Sequence, residues 1–235
     1  MITFTTVVIK HIKNEAPGTS SFFFDIPNGM TWSAGTQIHF ALPDFIQSGT
    51  PDKTLFRHMS IMTLPQEGTL AFTTRVPGSK SKFKERLATL VPKDKLVMFK
   101  SDNRIPLRRE NRPIIFLSMG VGIATFRPMI LEWIKNPTKI PTIINLLVDK
   151  KNQFLFRNEF ESISQSNLIN IFCENRNDFY TNLKLLPFAT NPIFYIVGSD
   201  NFLENVIEQL KNKGIRPEDI ELDKKPDKKA LMLGR

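Results

Sequence analysis

The sequence has little cysteine and little histidine, with one cysteine, Cys173, and three histidines among its 235 residues. A single cysteine cannot form an internal disulfide bond. It also cannot hold a two-iron, two-sulfur cluster, which takes about four cysteine ligands. Because the histidines do not group closely with carboxylates, a structural zinc site is not expected either. We therefore expect a chain without a metal centre of its own.

Long apolar runs are also missing, since no stretch approaches the ~20 residues that a membrane-spanning helix needs. The first residues, Met1–Thr6, lack the charged region and the apolar region of a secretory signal. From these two features we expect a cytoplasmic protein that does not insert into a membrane.

The composition is that of a folded protein, with 41% hydrophobic residues and 20 Phe. A chain of this length can form one large domain or two smaller ones, each with its own core. The net charge of +9 suggests an acidic partner, although a general composition bias explains it equally well. The densest basic stretch, Lys224–Lys229, is expected to be a solvated, mobile terminus. Nucleic-acid binding is not expected, because basic charge alone names no target.

The first half of the chain has the pattern of an antiparallel β-barrel. Short β-rich runs alternate with turn residues from residue 2 to about 110. One helix is predicted there, over Ser81–Leu90. The predicted strands are Thr3–Lys10, Ser21–Ile26, Gln37–Leu42, His58–Met62, Leu70–Val76 and Leu96–Lys100.

The second half has the pattern of a doubly wound α/β domain, in which continuous apolar strands alternate with helices. The predicted strands are Ile114–Leu117, Ile143–Val148, Leu168–Cys173 and Ile193–Val197. The predicted helices are Phe126–Lys135, Phe156–Ile163 and Asn201–Asn212. The boundary is expected near Glu110–Pro113, which gives domains of residues 1–110 and 111–235.

Three short motifs in this frame suit the binding of phosphate groups. The guanidinium of Arg57, in the segment Arg57–Ser60, can make charge-assisted bonds to a phosphate. The turn Gly78–Ser81 precedes the predicted helix, where a glycine allows close approach and free N–H groups attract an anion. Gly120 and Gly122 stand at the carboxyl end of the first parallel strand, where ligands bind to open α/β sheets.

In this order the motifs resemble those of the ferredoxin-NADP reductase family of flavoenzymes. The family has Arg-x-Tyr-Ser/Thr where this chain has Arg57–Ser60, and Gly-x-x-Ser where it has Gly78–Ser81. It has Gly-Thr-Gly-Ile-Ala-Pro-Phe-Arg where this chain has Gly120–Arg127. The resemblance extends over nearly the whole chain and implies a flavin-binding barrel followed by an NAD(P)-binding domain.

The resemblance implies roles for the residues of the barrel. Arg57 would bind the flavin pyrophosphate, and Ser60 would offer its hydroxyl to flavin N5 as the catalytic residue. His58 and Met59 complete the motif, with Met59 replacing the tyrosine that packs on the flavin. The turn implies flavin-binding residues Gly78, Ser79, Ser81 and Lys82, although a simple capped turn explains Ser79 and Lys80 equally well. The implied flavin is FAD, with FMN less favoured.

The resemblance also implies a coenzyme site in the second half. Its expected residues are Gly120, Val121, Gly122, Thr125, Gly198 and Ser199, with Val197 in place of the family's cysteine. Arg176 is the candidate for the 2′-phosphate of NADPH, and Lys150 and Lys151 are alternatives. Glu174 favours NADH instead, because a carboxylate can accept from a free 2′-hydroxyl. The sequence leaves NADPH and NADH open, with a slight preference for NADPH.

The activity implied is that of an FAD-dependent NAD(P)H oxidoreductase. It would pass electrons to a separate, acidic carrier such as ferredoxin, flavodoxin or an oxygenase component. Two alternatives stay open: a reductase of free flavin or ferric chelates, and a non-catalytic flavin- or nucleotide-binding subunit. The substitutions Met59, Val121, Thr125 and Val197 and the lack of a terminal aromatic residue keep the second alternative open.

Overall fold

The computed structural model of the protein describes residues 3–47, 49–76 and 81–235. The chain divides into two units, Met1–Pro106 and Leu107–Arg235. The side chains of Arg108 and Arg109 hydrogen-bond within the second unit, to Glu110 and to the carbonyl of Asn136 among others. The predicted turn residues Gly78, Ser79 and Lys80 lie outside the described residues.

The described residues of the first unit form eight strands and one short α-helix. The strands are β1 (Thr5–Ala16), β2 (Thr19–Phe24), β3 (Thr36–Ala41), β4 (Ile46–Gln47), β5 (Thr50–Pro51), β6 (Phe56–Ser60), β7 (Leu70–Arg75) and β8 (Lys95–Asn103). The helix is α1 (Lys82–Leu87). Six strands form an antiparallel sheet in the order β6-β3-β8-β1-β2-β7, while β4 and β5 pair separately.

The six-stranded sheet curls into a partly closed barrel. Its two edge strands, β6 and β7, meet just beyond the end of β6. There Ile61 forms a bridge with Phe72 of β7, and the Met62 N–H donates to the Ala71 carbonyl at 2.9 Å. Alternate side chains point inward, where stacked phenylalanines such as Phe24 and Phe40 fill the core. Helix α1 packs Phe83 and Leu87, both fully buried, into the same core. The predicted barrel is confirmed.

The second unit is an α/β domain with a parallel sheet. Its strands are β9 (Ile114–Met119), β10 (Ile143–Val148), β11 (Leu168–Cys173), β12 (Ile193–Val197) and β13 (Ile220–Leu222). Its helices are α2 (Ile123–Lys135), α3 (Arg157–Glu161), α4 (Arg176–Lys184), α5 (Asp200–Asn212) and α6 (Pro226–Leu233). The strand order is β11-β10-β9-β12-β13, so the direction of winding reverses between β9 and β12. The predicted doubly wound domain is confirmed.

The C-terminal segment departs from its prediction as a mobile, solvated tail. Residues Pro226–Leu233 form α6, and Leu233 is fully buried in the core of the second unit. Lys224 and Lys228 both pair with Asp200 at the start of α5, at 2.9 and 2.5 Å, and Lys229 pairs with Glu221. The prediction is wrong because these lysines have carboxylate partners that are distant in the sequence.

In the described part of the chain, no helix is long and apolar enough to cross a bilayer.

Candidate functional site

The first motif lies on β6, which is an edge strand of the barrel and pairs with β3. Its register places Met59 opposite Ile38 and Arg57 opposite Phe40. Because side chains alternate along a strand, Arg57 and Met59 share the face that the buried Ile38 and Phe40 line. His58 and Ser60 therefore lie on the opposite face of β6.

The two faces of β6 give the motif residues different surroundings. Met59 is 6% exposed and belongs to the barrel core, so its side chain contributes mainly to packing. His58 is exposed, and its ring lies 3.8 Å from the ring of His39 on β3. Ser60 is half-buried and lies opposite Gln37.

Arg57 has a half-buried side chain that is anchored but keeps an unbalanced charge. Its Nη1 donates to the carbonyls of Lys53 and Phe56 at 2.9 and 2.7 Å. Both acceptors are neutral, so these bonds orient the guanidinium without neutralising it. The arrangement leaves the positive charge available to an anion.

Three cationic side chains from three elements share this region. The pKa of Lys84 on α1 is lowered, first by burial and then by the positive charges of Arg57 on β6 and Arg75 on β7. Positive charges beside a lysine disfavour its charged form. We call Arg57, Arg75 and Lys84 the cation cluster.

Sequence reasoning found only Arg57 of this cluster. Phe83 and Leu87 are the buried residues of α1, and Lys84 follows Phe83 directly in the sequence. The sequence predicted two neighbouring residues instead, Ser81 and Lys82, and these differ from each other in burial. Ser81 is the N-cap residue of α1 and is buried, whereas Lys82 is exposed. The pKa of Asp52 is lowered chiefly by hydrogen bonds from Thr54, with a smaller contribution from the charge of Lys82.

The second motif forms a tight turn at the carboxyl end of β9. Gly120, with φ +57°, begins a single 3-10 turn over Gly120–Gly122 that leads into α2. A Cβ on Gly122 would lie 2.8 Å from the carbonyl oxygen of Val197 on β12. The turn therefore presses against the end of the neighbouring strand at the point where the winding reverses, and only glycine fits there.

The rest of the second motif is mostly structural. Val121 is half-buried in the turn, and Thr125 is 3% exposed in the first turn of α2. Arg127 forms a two-bond ion pair with Glu159 on α3, at 2.8 and 2.6 Å. This ion pair joins α2 to α3.

The turn after β12 lies beside the β9 turn. A Cβ on Gly198 would lie 2.5 Å from the ring of Phe202, which is buried in α5. The Ser199 hydroxyl accepts from the Phe202 N–H at 3.4 Å and caps α5. The structure therefore brings Gly120, Val121, Gly122, Gly198 and Ser199 together at the switch point of the sheet, where open α/β sheets bind their ligands.

Arg176 is the first residue of α4, yet its side chain turns back over the end of the sheet. Its Nη2 lies 4.0 Å from the sulfur of Met119, the last residue of β9. Its Nε is buried and has no hydrogen-bond partner among the described residues. The side chain also lines a groove between α4 and α5 together with Tyr180. Neither Met119 nor Tyr180 was singled out from the sequence.

The other candidates for coenzyme selection lie at the ends of β10 and β11. Glu174 accepts from Asn152 Nδ2 at 2.9 Å. Lys150 and Lys151 are exposed in the turn after β10, where the Lys151 N–H donates to Asp149. Cys173, which ends β11, is 2% exposed, and burial raises the pKa of its thiol to about 11. This cysteine is a structural residue.

No protein-family model matches the sequence, and no curated protein matches it. Solved structures match its fold over nearly its whole length. A ferredoxin NADP+ reductase from Neisseria gonorrhoeae, with bound FAD and NADP, has a TM-score of 0.76 at 15% identity. That match covers 94% of this chain and 98% of the reductase.

Two further structures give the same result. A cytochrome P450 reductase from Amycolatopsis has a TM-score of 0.77 at 14% identity, over 95% of this chain and 70% of that one. The FAD/NAD binding domain of a nitric oxide dioxygenase from Vibrio cholerae has a TM-score of 0.73 at 16% identity, over 93% and 97% of the two chains. The chain therefore has the two-domain fold of the ferredoxin-NADP reductase-like proteins, the family that its motifs resemble.

Proposed function

We propose that the protein is an FAD-dependent NAD(P)H oxidoreductase that passes electrons to a separate carrier protein. The observation that carries this proposal is the cation cluster on the barrel of a fold shared with a reductase that binds FAD and NADP. Positive charges on three neighbouring side chains suit a diphosphate better than a single phosphate. They therefore favour FAD over FMN.

The flavin-side residues have separate tasks in this proposal. Arg57, Arg75 and Lys84 bind and orient the diphosphate, with Ser81 and Lys82 beside them on α1. Ser60 directs its hydroxyl to the flavin ring nitrogen that accepts the hydride. When bound, the flavin supplies the ability to accept an electron pair and to release electrons one at a time.

The coenzyme-side residues position the nicotinamide dinucleotide. The turns at Gly120–Gly122 and Gly198–Ser199 lie at the switch point of the sheet, where their backbone N–H groups would meet the coenzyme. Val197 stands in place of the family's cysteine, so positioning would supply most of the rate acceleration.

An acidic protein is the proposed electron acceptor. The net charge of +9 favours encounter with a negatively charged partner. One matching structure is the ferredoxin reductase in carbazole 1,9a-dioxygenase, at 14% identity. This similarity supports a protein acceptor of the ferredoxin or oxygenase type.

The purified protein tests the proposal directly. We expect it to be yellow, or to bind added FAD, and to lose the yellow absorbance within seconds of anaerobic mixing with NADH or NADPH. Arg57→Ala should weaken FAD binding by about 2–3 kcal/mol, because it removes charged hydrogen bonds to the diphosphate. The matched control is Arg86→Ala, since Arg86 lies on α1 but pairs with Asp44. Failure to bind FAD or FMN would reject the proposal.

A reductase of free flavin is the second candidate, and the burial of Met59 favours it. The aromatic side chain that covers the flavin in the family is replaced by a residue packed into the barrel core. Weaker covering would let the flavin leave as a product. Rapid loss of reduced flavin on dilution supports this candidate, whereas a flavin-loaded protein that neither coenzyme reduces supports the non-catalytic subunit.

A further inference from the structure

The side chain of Arg176 spans the end of the parallel sheet. Arg176 follows β11, which is an edge strand, and two strands separate that edge from the switch point in the order β11-β10-β9. Neighbouring strands lie ~4.8 Å apart, so β9 is about 10 Å from β11. The contact of 4.0 Å between its Nη2 and the Met119 sulfur therefore shows that the guanidinium extends from the edge strand toward β9, whose last residue precedes Gly120.

The guanidinium has bonding capacity that the described residues do not use. Its Nε is buried and unpaired among them, and its Nη2 has only a thioether sulfur nearby. A methionine sulfur is a weak acceptor, whereas an arginine fork matches two oxygens of a phosphate group. Native proteins rarely leave a buried donor without an acceptor. The position suits an oxyanion at the end of β9.

A different set of side chains occupies the edge of the sheet. Glu174 and Asn152 are hydrogen-bonded across the ends of β11 and β10, with Lys150 and Lys151 exposed beside them. In an extended dinucleotide bound across the strand ends, the diphosphate lies at the switch point and the adenosine ribose lies farther along the sheet. The groups near the ribose are therefore Glu174 and the turn that contains Lys150 and Lys151.

We propose that Arg176 binds the diphosphate of the coenzyme, which NADH and NADPH share, and not the 2′-phosphate that only NADPH has. This inference rests on the coenzyme role proposed above. It departs from the role that the family resemblance implies for this arginine. Discrimination between the two coenzymes then lies with Glu174 and the two lysines, and Arg176 strengthens the binding of both.

Calorimetric titration with two coenzyme fragments tests the assignment without any need for flavin or turnover. The probes are ADP-ribose and its 2′-phosphorylated form, which differ only in the disputed phosphate. Arg176→Ala should weaken the binding of both by roughly 10-fold or more, with their affinity ratio unchanged within about twofold. Lys184→Ala, on the same helix and in the same groove, is the matched control and should leave both affinities unchanged.

Two results would overturn the assignment. A loss confined to the 2′-phosphorylated probe would return Arg176 to the 2′-phosphate, and unchanged affinities would remove it from the site. If Arg176→Ala does not fold, Arg176→Lys keeps the charge without the fork, and it should weaken both probes equally but less. If the wild-type protein binds neither probe, the coenzyme role itself is wrong and the assignment of Arg176 is wrong with it.

Discussion

Lys84 should lower the stability of the ligand-free protein and strengthen the binding of its ligand. Burial and the charges of Arg57 and Arg75 lower its pKa from 10.5. Because the unfolded chain binds this proton more tightly, charged Lys84 reduces stability below its lowered pKa, and the cost is relieved as the pH rises toward 10.5. A bound diphosphate would instead favour the charged form of Lys84, so that its charge would stabilise the complex.

We therefore expect Lys84→Met to stabilise the flavin-free protein against urea near pH 7 and to weaken FAD binding about 10-fold. The gain in stability should shrink as the pH rises toward 10.5. Lys95→Met, at an exposed position on β8, is the control for loss of one positive charge. A variant that binds FAD as tightly as the wild-type protein would exclude Lys84 from the diphosphate site.

Gly122 is a residue at which the addition of a single methyl group should lower the stability of the protein. The added Cβ would meet a backbone carbonyl oxygen of β12 at 2.8 Å, and both turns would have to shift. We expect Gly122→Ala to lower the free energy of unfolding by about 1–3 kcal/mol. Val197→Ala should restore it only in part, because it removes the Cγ1 atom at 3.1 Å and leaves the carbonyl oxygen at 2.8 Å. Full rescue in the double variant would contradict this explanation.

The sequence predicted the positions of the candidate residues in the fold better than it predicted the orientations of their side chains. Gly120, Gly122 and Gly198 could be placed at strand ends from local patterns alone, because apolar runs and glycines mark where parallel strands stop. The direction of Arg176 could not be predicted, since it depends on Met119 in another strand. The cation cluster was missed for the same reason, because Arg57, Arg75 and Lys84 come from three separate elements.

At the scale of elements, buried strands could be predicted and the polar helices could not. The predicted strands Ile143–Val148, Leu168–Cys173 and Ile193–Val197 agree with the structure, because largely apolar runs identify the strands of a parallel sheet. The edge strand Leu168–Cys173 is nevertheless partly exposed. Helix α4 was missed since only Phe179 and Leu183 are buried in it. Strand β13, with three residues, is too short to give a periodic signal.

Helix α6 is held in place by ion pairs that its own sequence does not reveal. Asp200 accepts from Lys224 and Lys228, and these two bonds lower its pKa to about 2. Since this value is below the usual 3.8, the contribution to stability is complete above about pH 4 and is lost as the pH falls through 2. The pairs are partly exposed, so each is worth at most about 1 kcal/mol.

We expect Asp200→Asn to release α6 more often without unfolding the domain. Limited digestion with trypsin should then cleave after Lys224, Lys228 and Lys229 several-fold faster, while the free energy of unfolding falls by about 1 kcal/mol or less. Glu204→Gln, an exposed change on α5 with the same loss of charge, is the control. Equal cleavage rates in the wild-type protein and Asp200→Asn would show that the ion pairs do not hold the helix.

At the scale of the whole molecule, the net charge should govern the encounter with the proposed electron acceptor. Attraction between a +9 protein and an acidic carrier raises the association rate, and salt screens it beyond a Debye length of ~8 Å. Electron transfer from the coenzyme-reduced protein to an acidic ferredoxin or flavodoxin should slow as salt rises from about 0.05 to 0.5 M. A neutral quinone is the control acceptor, because it has no charge for salt to screen. Equal salt dependence for both would favour the small-acceptor reductase.

The reactivity of the single, buried thiol can report local opening of the second unit. Cys173 is shielded at the end of β11, and Asn182 donates to its sulfur at 3.6 Å. Its thiol stays protonated at neutral pH, so a thiol-specific dye can react only when the sheet edge or α4 detaches. The rate of labelling therefore measures, without any engineered probe, how often the second unit opens near the proposed coenzyme site, and a bound dinucleotide should slow it.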